Sequence, residues 1–403
     1  MNNELQPLWV PSKSLISRSN LMNYMNWLKE SRQISFSDYD SLWTWSAEHV
    51  EDFWESLWKY FDIIHHTPYS SVMNSPEGEM IGTRWFEGST LNYAEHIFRH
   101  KSSEHPAIIF QSEKTGLKEI TWVELEASVS SVAAWLREQG VVKGDRVVSL
   151  LPNIPETVIA FLAVNSIGAV WSSCSPDFGT PSVTDRFAQV EPKILFAADG
   201  YSYNGKTFEK LSELEEIISR LPTLKKVVLF NFIGNHQLPG SVSWQKVAAT
   251  DGGHLRFEPV EFNHPIWIVY SSGTTGKPKA ITHSHGGCLL EHLKALAFHQ
   301  DVKKGERYFW FSTTGWMMWN FSVASLLTGA TLCIYEGSAS YPDLNVLWNF
   351  AKEAGSHHFG GGAAFYIACM KAGMSFGEHA FPLLRTIGST GSPLPPEAFE
   401  WIY

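Results

Sequence analysis

From about residue 105 the chain alternates two apolar patterns, and this alternation restricts the fold more than any other feature. Short runs at 107–110, 146–151, 169–172, 193–197 and 226–230 are rich in Val, Ile, Phe and Ala and read as buried strands. Between them, 155–167, 181–190 and 208–221 carry apolar residues at helical spacing. Thr121-Trp122-Val123-Glu124 is a capping box, with Thr121 as N-cap and Glu124 reaching back. Leu125, Val129, Val132 and Leu136 continue as one helical stripe, and Gly140 suits the C-terminal cap. Strands joined through helices lie parallel, so the expected class is α/β, with parallel-rich sheets sandwiched by helices. The alternation loosens over 231–251 and resumes near His264, with strands at 265–269, 331–335 and 384–387 and a helix at 346–355. Two β/α lobes are therefore expected, about 105–255 and 264–403. No internal sequence repeat accompanies them.

Residues 1–95 are of another kind, dense in tryptophan and other aromatics. Val50, Phe53, Trp54, Leu57, Trp58 and Phe61 fall on one helix face, which predicts a helix docked on the main body. A polar linker follows at 75–82.

The chemistry concentrates in Tyr270-Ser271-Ser272-Gly273-Thr274-Thr275-Gly276-Lys277-Pro278-Lys279, directly after an apolar strand. Gly273 and Gly276 allow positive φ and close approach to a ligand. Successive backbone N–H groups in such a turn make an anion-binding concavity. Ser271, Ser272, Thr274 and Thr275 add hydroxyl donors, and Lys277 and Lys279 add charge. The stretch reads as a polyphosphate cradle. It is not the common nucleotide loop, because Pro278 follows Lys277 where Ser or Thr would stand.

Composition narrows the class by exclusion. A formal net charge of −10 without basic runs argues against nucleic acid as a partner. Cys174, Cys288, Cys333 and Cys369 show no C-x-x-C spacing, so neither a zinc site nor a disulfide framework is indicated, and free thiols fit a cytoplasmic protein. His283 and His285, and the adjacent His357 and His358, lack further ligands at metal spacing and read as structural. No run reaches the length that spans a bilayer, and no signal peptide opens the chain. No nucleophile elbow supports hydrolase chemistry.

The 270–279 stretch resembles the signature of the acyl-adenylate-forming enzymes, and further motifs narrow the likeness to short-chain acyl-CoA synthetases. Trp85-Phe86-Glu87-Gly88-Ser89-Thr90-Leu91-Asn92-Tyr93-Ala94-Glu95 is similar to the segment leading into their catalytic domain. Gly315-Trp316-Met317-Met318-Trp319-Asn320 and Ser175-Pro176-Asp177-Phe178-Gly179 are closest to the acetoacetate-activating branch. Gly388-Ser389-Thr390-Gly391-Ser392-Pro393-Leu394 follows a strand, where open α/β sheets bind ligands.

The resemblance implies an N-terminal extension over 1–95 and an adenylation domain over 96–403, the large N-terminal domain of the adenylate-forming fold. It implies ATP-dependent ligation of acetoacetate to coenzyme A through an acyl-adenylate, with acetate, propionate or butyrate as alternative acids and a non-catalytic nucleotide-binding module as another reading. Thr274, Thr275 and Lys277 would be catalytic. Ser271, Ser272, Gly273, Gly276 and Lys279 would join them in binding the phosphates of ATP. Gly391, Ser392 and Pro393 would pack on the adenine, and Trp316, Met317, Met318 and Thr390 would line the acyl group. Where acetyl-CoA synthetases carry arginines for the CoA phosphates, Tyr203-Asn204-Gly205-Lys206 keeps only Lys206 as a base. The implied Mg2+ ligand, catalytic lysine and mobile C-terminal domain fall beyond Tyr403, within whose last helix the sequence stops. On that reading the chain alone is expected to be an incomplete ligase.

Overall fold

The structure is a computed structural model and describes residues 7–76, 80–271, 276–377 and 379–403. Four helices open it, Lys13–Ser17, Asn20–Arg32, Tyr39–Glu48 and Val50–Tyr60. The last buries Leu57 and Trp58, and the Trp58 ring stacks on Phe86 with centroids 4.5 Å apart. This fastens the aromatic N-terminal region to the body, as the stripe predicts. The hairpin β1 (Ser71–Asn74) and β2 (Arg84–Glu87) and the short β3 (Thr90–Leu91) lead into it.

Two large sheets follow. Their strands in chain order are β4 (Ile108–Ser112), β5 (Lys118–Ile120), β6 (Arg146–Leu150), β7 (Val170–Ser173) and β8 (Ile194–Ala198). A hairpin of β9 (Gly200–Tyr203) and β10 (Lys206–Glu209) comes next, then β11 (Lys226–Phe230), β12 (Val242–Ser243) and β13 (Val260–Glu261). The series closes with β14 (Pro265–Ser271), β15 (Lys279–Ser284), β16 (Arg307–Trp310), β17 (Thr331–Glu336), β18 (His358–Gly362) and β19 (Thr386–Thr390). One sheet runs β12-β11-β8-β6-β7-β14-β15, the other β19-β18-β16-β17-β4-β5. In each, all neighbours are parallel except the last pair, where β15 and β5 run antiparallel at the edge. The expected parallel-rich α/β class is thus the observed one.

The sheets do not follow the lobe limits read from sequence. β14 and β15, beyond residue 264, complete the sheet of β6, β7 and β8, whereas β4 and β5 belong with β16–β19. Alternation reports that strands are parallel but not which sheet each joins.

Other differences are local. The helix expected over 208–221 begins at Leu211, because Phe208 lies in β10. Asn204 and Gly205 have φ of 54° and 74°, which builds the tight turn that Asn-Gly favours between antiparallel strands. The looser 231–251 contains β12 and the helix Trp244–Ala248. The capping box at Thr121 forms as expected and starts the helix Trp122–Glu138.

Candidate functional site

In parallel sheets the loops at the strands' carboxyl ends are free to build a site. Here the loops leaving both sheets meet and hold one another. Thr314, after β16, donates its hydroxyl to Leu151 O, after β6, at 2.9 Å. Ser173, ending β7, donates to Thr314 O at 2.6 Å. A Cβ on Gly315 would stand 3.0 Å from the Phe178 ring and 3.1 Å from Ser175 N, so the turn after β7 presses on the segment after β16. That contact gives the Ser-Pro-Asp-Phe-Gly turn a packing role.

Asn153 draws four groups together. Its backbone N–H donates to Glu336 Oε2 at 2.6 Å. Its side-chain amide donates to Ser312 O and Tyr335 O, each at 3.3 Å, and its Oδ1 accepts the Trp319 indole N–H at 3.0 Å. The Gly315–Asn320 cluster is thereby divided. Trp319 is 1% exposed and belongs to the core, and Asn320 is buried, whereas Trp316 is 65% exposed and Met317 46%. Met318 is half-buried. Of the acyl-pocket candidates, Trp316 and Met317 therefore present accessible surface, on the first turn of the helix Met317–Val323.

The neighbouring strands offer a glycine surface. Gly360, Gly361 and Gly362 of β18 pair with Gly388, Ser389 and Thr390 of β19. The Trp310 ring lies over it, since a Cβ would come within 2.0 Å of that ring at Gly360 and 2.4 Å at Gly388. Beyond Thr390, Gly391 takes φ +88° and the exposed Ser392 and Pro393 continue the turn. This turn leaves the same end of the sheet as the Trp316 segment. The Gly360–Gly362 run at the end of a strand is a signal that the sequence reading passed over, as is Asn153 just past another.

Ser271 closes β14 and pairs with Lys279, which opens β15, so the polyphosphate stretch joins the two strands of a hairpin. Ser272, Gly273, Thr274 and Thr275 lie outside the described residues. Gly276 has φ +135°, and no described atom lies within 4 Å of its Cβ position, so its conformation alone favours glycine. Lys277 is exposed, with Nζ 3.5 Å from Asp185 Oδ1. Gln189 Nε2 donates to Pro278 O at 3.1 Å and steadies the returning chain. At the base of the hairpin, Tyr270 donates its hydroxyl to Arg186 O at 3.0 Å. The Arg186 guanidinium lies over the rings of both Phe178 and Tyr270. This links the β14–β15 hairpin to the turn after β7.

The Tyr203–Lys206 turn is largely exposed and is tied to the residue that follows β4. Glu113 accepts the N–H groups of Asn204 and Gly205 at 2.8 and 2.9 Å and that of Ser338 at 2.7 Å. Lys206 itself is exposed.

Two buried groups have altered acidity. Burial pushes the Glu336 carboxyl up to about 8; the Asn153 N–H opposes this, and the charges of Asp177 and Glu113 add to it. The residue is half-buried overall, with its carboxyl turned inward onto that N–H. Burial also pushes the Cys174 thiol up to about 12, which removes it as a nucleophile at neutral pH. All four cysteines are free and buried. His283 accepts the Trp267 indole N–H at 2.8 Å, and His358 bridges Glu306 and Thr386, so these histidines are structural. Among the described residues no three His, Cys, Asp or Glu side chains are grouped to hold a metal ion. A cleft of about 490 Å³, lined in part by Tyr60, Arg99, Lys304 and Leu327, lies by the N-terminal helices and ahead of β16 and β17. None of the candidate residues lines it, so it is not taken as the site.

Comparison with known proteins follows the same lines. A family model described as "AMP-binding enzyme" matches residues 95–403, and one described as "Acetyl-coenzyme A synthetase N-terminus" matches 39–97. An acetoacetyl-coenzyme A synthetase of Rhizobium meliloti (strain 1021) is 40% identical over 407 residues, 99% of this chain and 62% of its own length. An acetoacetyl-CoA synthetase of Mus musculus is 39% identical over 382 residues, 92% of this chain and 57% of its own length. The solved acetoacetyl-CoA synthetase from Streptomyces lividans matches with a TM-score of 0.94 and 42% identity, over 98% of this chain and 62% of that one. The chain therefore spans about three fifths of the length of these relatives. The first family model runs through well over half of the chain, from the foot of the first large sheet to the last helix, and the chain belongs to the AMP-binding enzyme family.

Proposed function

We propose that this protein ligates acetoacetate to coenzyme A by way of an acyl-adenylate. The acid's carboxylate attacks the α-phosphorus of ATP and the bond to the β-phosphate oxygen breaks, releasing pyrophosphate. The CoA sulfur then forms a bond to the acyl carbon, AMP leaves, and the thiol proton passes to solvent. Such displacements need positioning and charge neutralisation rather than a covalent enzyme intermediate. The observation that carries the reading is the near-complete coverage of this chain by acetoacetyl-CoA synthetases.

In this reading Ser271, Ser272, Gly273, Thr274, Thr275, Gly276, Lys277 and Lys279 hold the phosphates of ATP. Thr274, Thr275 and Lys277 stabilise charge on the departing pyrophosphate. Among the described residues the exposed Lys277 pairs with Asp185, and such a surface ion pair costs little to exchange for a phosphate. Gly391, Ser392 and Pro393 receive the adenine, and Trp316, Met317, Met318 and Thr390 receive the acid. Mg2+ would come with the nucleotide, and no residue role described here runs through it. Free, buried thiols suit a cytoplasmic enzyme.

The test is acid-dependent pyrophosphate exchange by the natural full-length protein. Acetoacetate should support it, with acetate, propionate and butyrate at least about tenfold less effective. Missing methylenes, at ~1–3 kcal/mol each, can account for discrimination against acetate and propionate, whereas butyrate has the same chain length, so preference over it must rest on a polar contact to the ketone. Equal use of butyrate would reassign the acid, and no exchange with any short acid would remove the ligase reading.

A further inference from the structure

We infer that Asn153 is a positioning residue for acid binding: it fixes the segment that carries Trp316, Met317 and Met318. The inference rests on the assignment of those residues to the acid. Asn153 leaves the carboxyl end of β6 in one sheet, while everything its polar atoms hold lies in or next to the other. Its side chain is 3% exposed, and both of its amide atoms are in use.

The partners explain why this amide and no other group serves. Ser312 O precedes the Trp316 turn, and the Trp319 indole follows it. Asn153 donates to the first and accepts from the second, so it grips the Trp316–Met318 stretch from both sides. Its third and fourth contacts, to Tyr335 O and the Glu336 carboxyl, tie the same point to the end of β17. Only an amide supplies a donor and an acceptor from one planar group in this arrangement. An Asp would aim a carboxylate oxygen at two carbonyls; an Ala would leave the buried indole N–H and both carbonyls without this partner.

Asn153→Ala and Asn153→Asp in the full-length protein are compared with wild type by two measurements. Amide hydrogen exchange over 312–319 should quicken, while 386–390, held by β18, stays at the wild-type rate. The KM for acetoacetate should rise about tenfold or more, with the KM for ATP within about twofold. A residue needed only for folding would lower the active fraction, and with it kcat, and leave both KM values unchanged, which would overturn the inference. Trp319→Phe removes the indole N–H together with the pyrrole part of the ring, so it should quicken exchange over 312–319 and raise the KM for acetoacetate in the same direction even if the Asn153 variants fail to fold. Unchanged exchange over 312–319, or KM values for acid and ATP that rise in step, would overturn the inference. If wild type shows no acid-dependent activity, the functional reading fails. The exchange rates then still decide whether Asn153 holds the segment.

Discussion

At the scale of single residues, Gly276 and Glu336 make opposite demands. Gly276 adopts φ +135°, a conformation that side-chain-bearing residues rarely take, although no described atom crowds it. Gly276→Val therefore strains the backbone by about 1–3 kcal/mol. Pyrophosphate exchange should fall at least about tenfold while the melting temperature changes little. Full exchange activity in that variant would show that the loop's conformation at Gly276 is not needed. Glu336 is a cost that the fold carries. Its ordinary pKa near 4.5 rises to about 8 on folding, so between these values the folded chain keeps a proton that the unfolded chain has released. Stability contributed by this group thus falls as pH rises from about 4.5 to about 8. Glu336→Gln keeps the acceptor for Asn153 N–H and removes the titration. Its melting temperature relative to wild type should climb between pH 5 and pH 9, and a difference that stays flat would contradict the assignment. Neither property was legible beforehand: the sequence shows the glycine at 276 but not its φ, and the inward turn of Glu336 depends on Asn153, far away in sequence.

At the scale of elements, strands announce themselves by composition, and their partners do not. β11 and β6 stand within a residue of their expected places because β-branched runs bounded by turns leave little freedom. β15 escaped notice because its exposed residues, from Lys279 to Thr282, carry no buried-strand pattern. An edge strand needs none, and its lysine suits an exposed edge. β10 escaped for the same reason, being exposed throughout, although Asn204-Gly205 marked its turn. What holds strands in register was less visible still. Glu306, leading into β16, accepts from His358 of β18 and pairs with Arg385 beside β19. Burial opposes its ionisation, but the bond from His358, the N–H of Lys303 and the charges of His358 and Arg385 outweigh it and hold the carboxyl down at about 2. A depressed carboxyl contributes stability above its unfolded value near 4.5, and this is lost as pH falls toward 2. Glu306→Gln should therefore unfold at lower denaturant than wild type at pH 7, with the gap narrowing as pH falls from 5 to 2. A gap as wide at pH 2 as at pH 7 would mean that packing, not charge, does the holding.

At the scale of the molecule, strand exchange between the sequence halves has a consequence for cooperativity. β14 and β15 come from the second half of the chain and complete the sheet of the first, while β4 and β5 do the reverse. Neither sheet can form from one half alone. The main core is shared as well: one cluster of buried side chains includes Val147, Trp171 and Phe196 from one sheet and Ile108, Tyr308 and Leu332 from the other. Loop contacts through Asn153, Thr314 and Glu113 join them again at the strands' carboxyl ends. The two sheets should then unfold as one unit, unlike separate domains with a small interface. Phe196, fully buried in β8, offers the test. Phe196→Ala should cost about 3–5 kcal/mol. Because the loss is felt by the common unit, amide protection should drop in β17 as much as in β8, and fluorescence and circular dichroism should report a single earlier transition. Protection that falls over Ile194–Ala198 but stays at the wild-type level over Thr331–Glu336 would show two independent units. It would then be the shared site at their junction, and not the core, that keeps the sheets together.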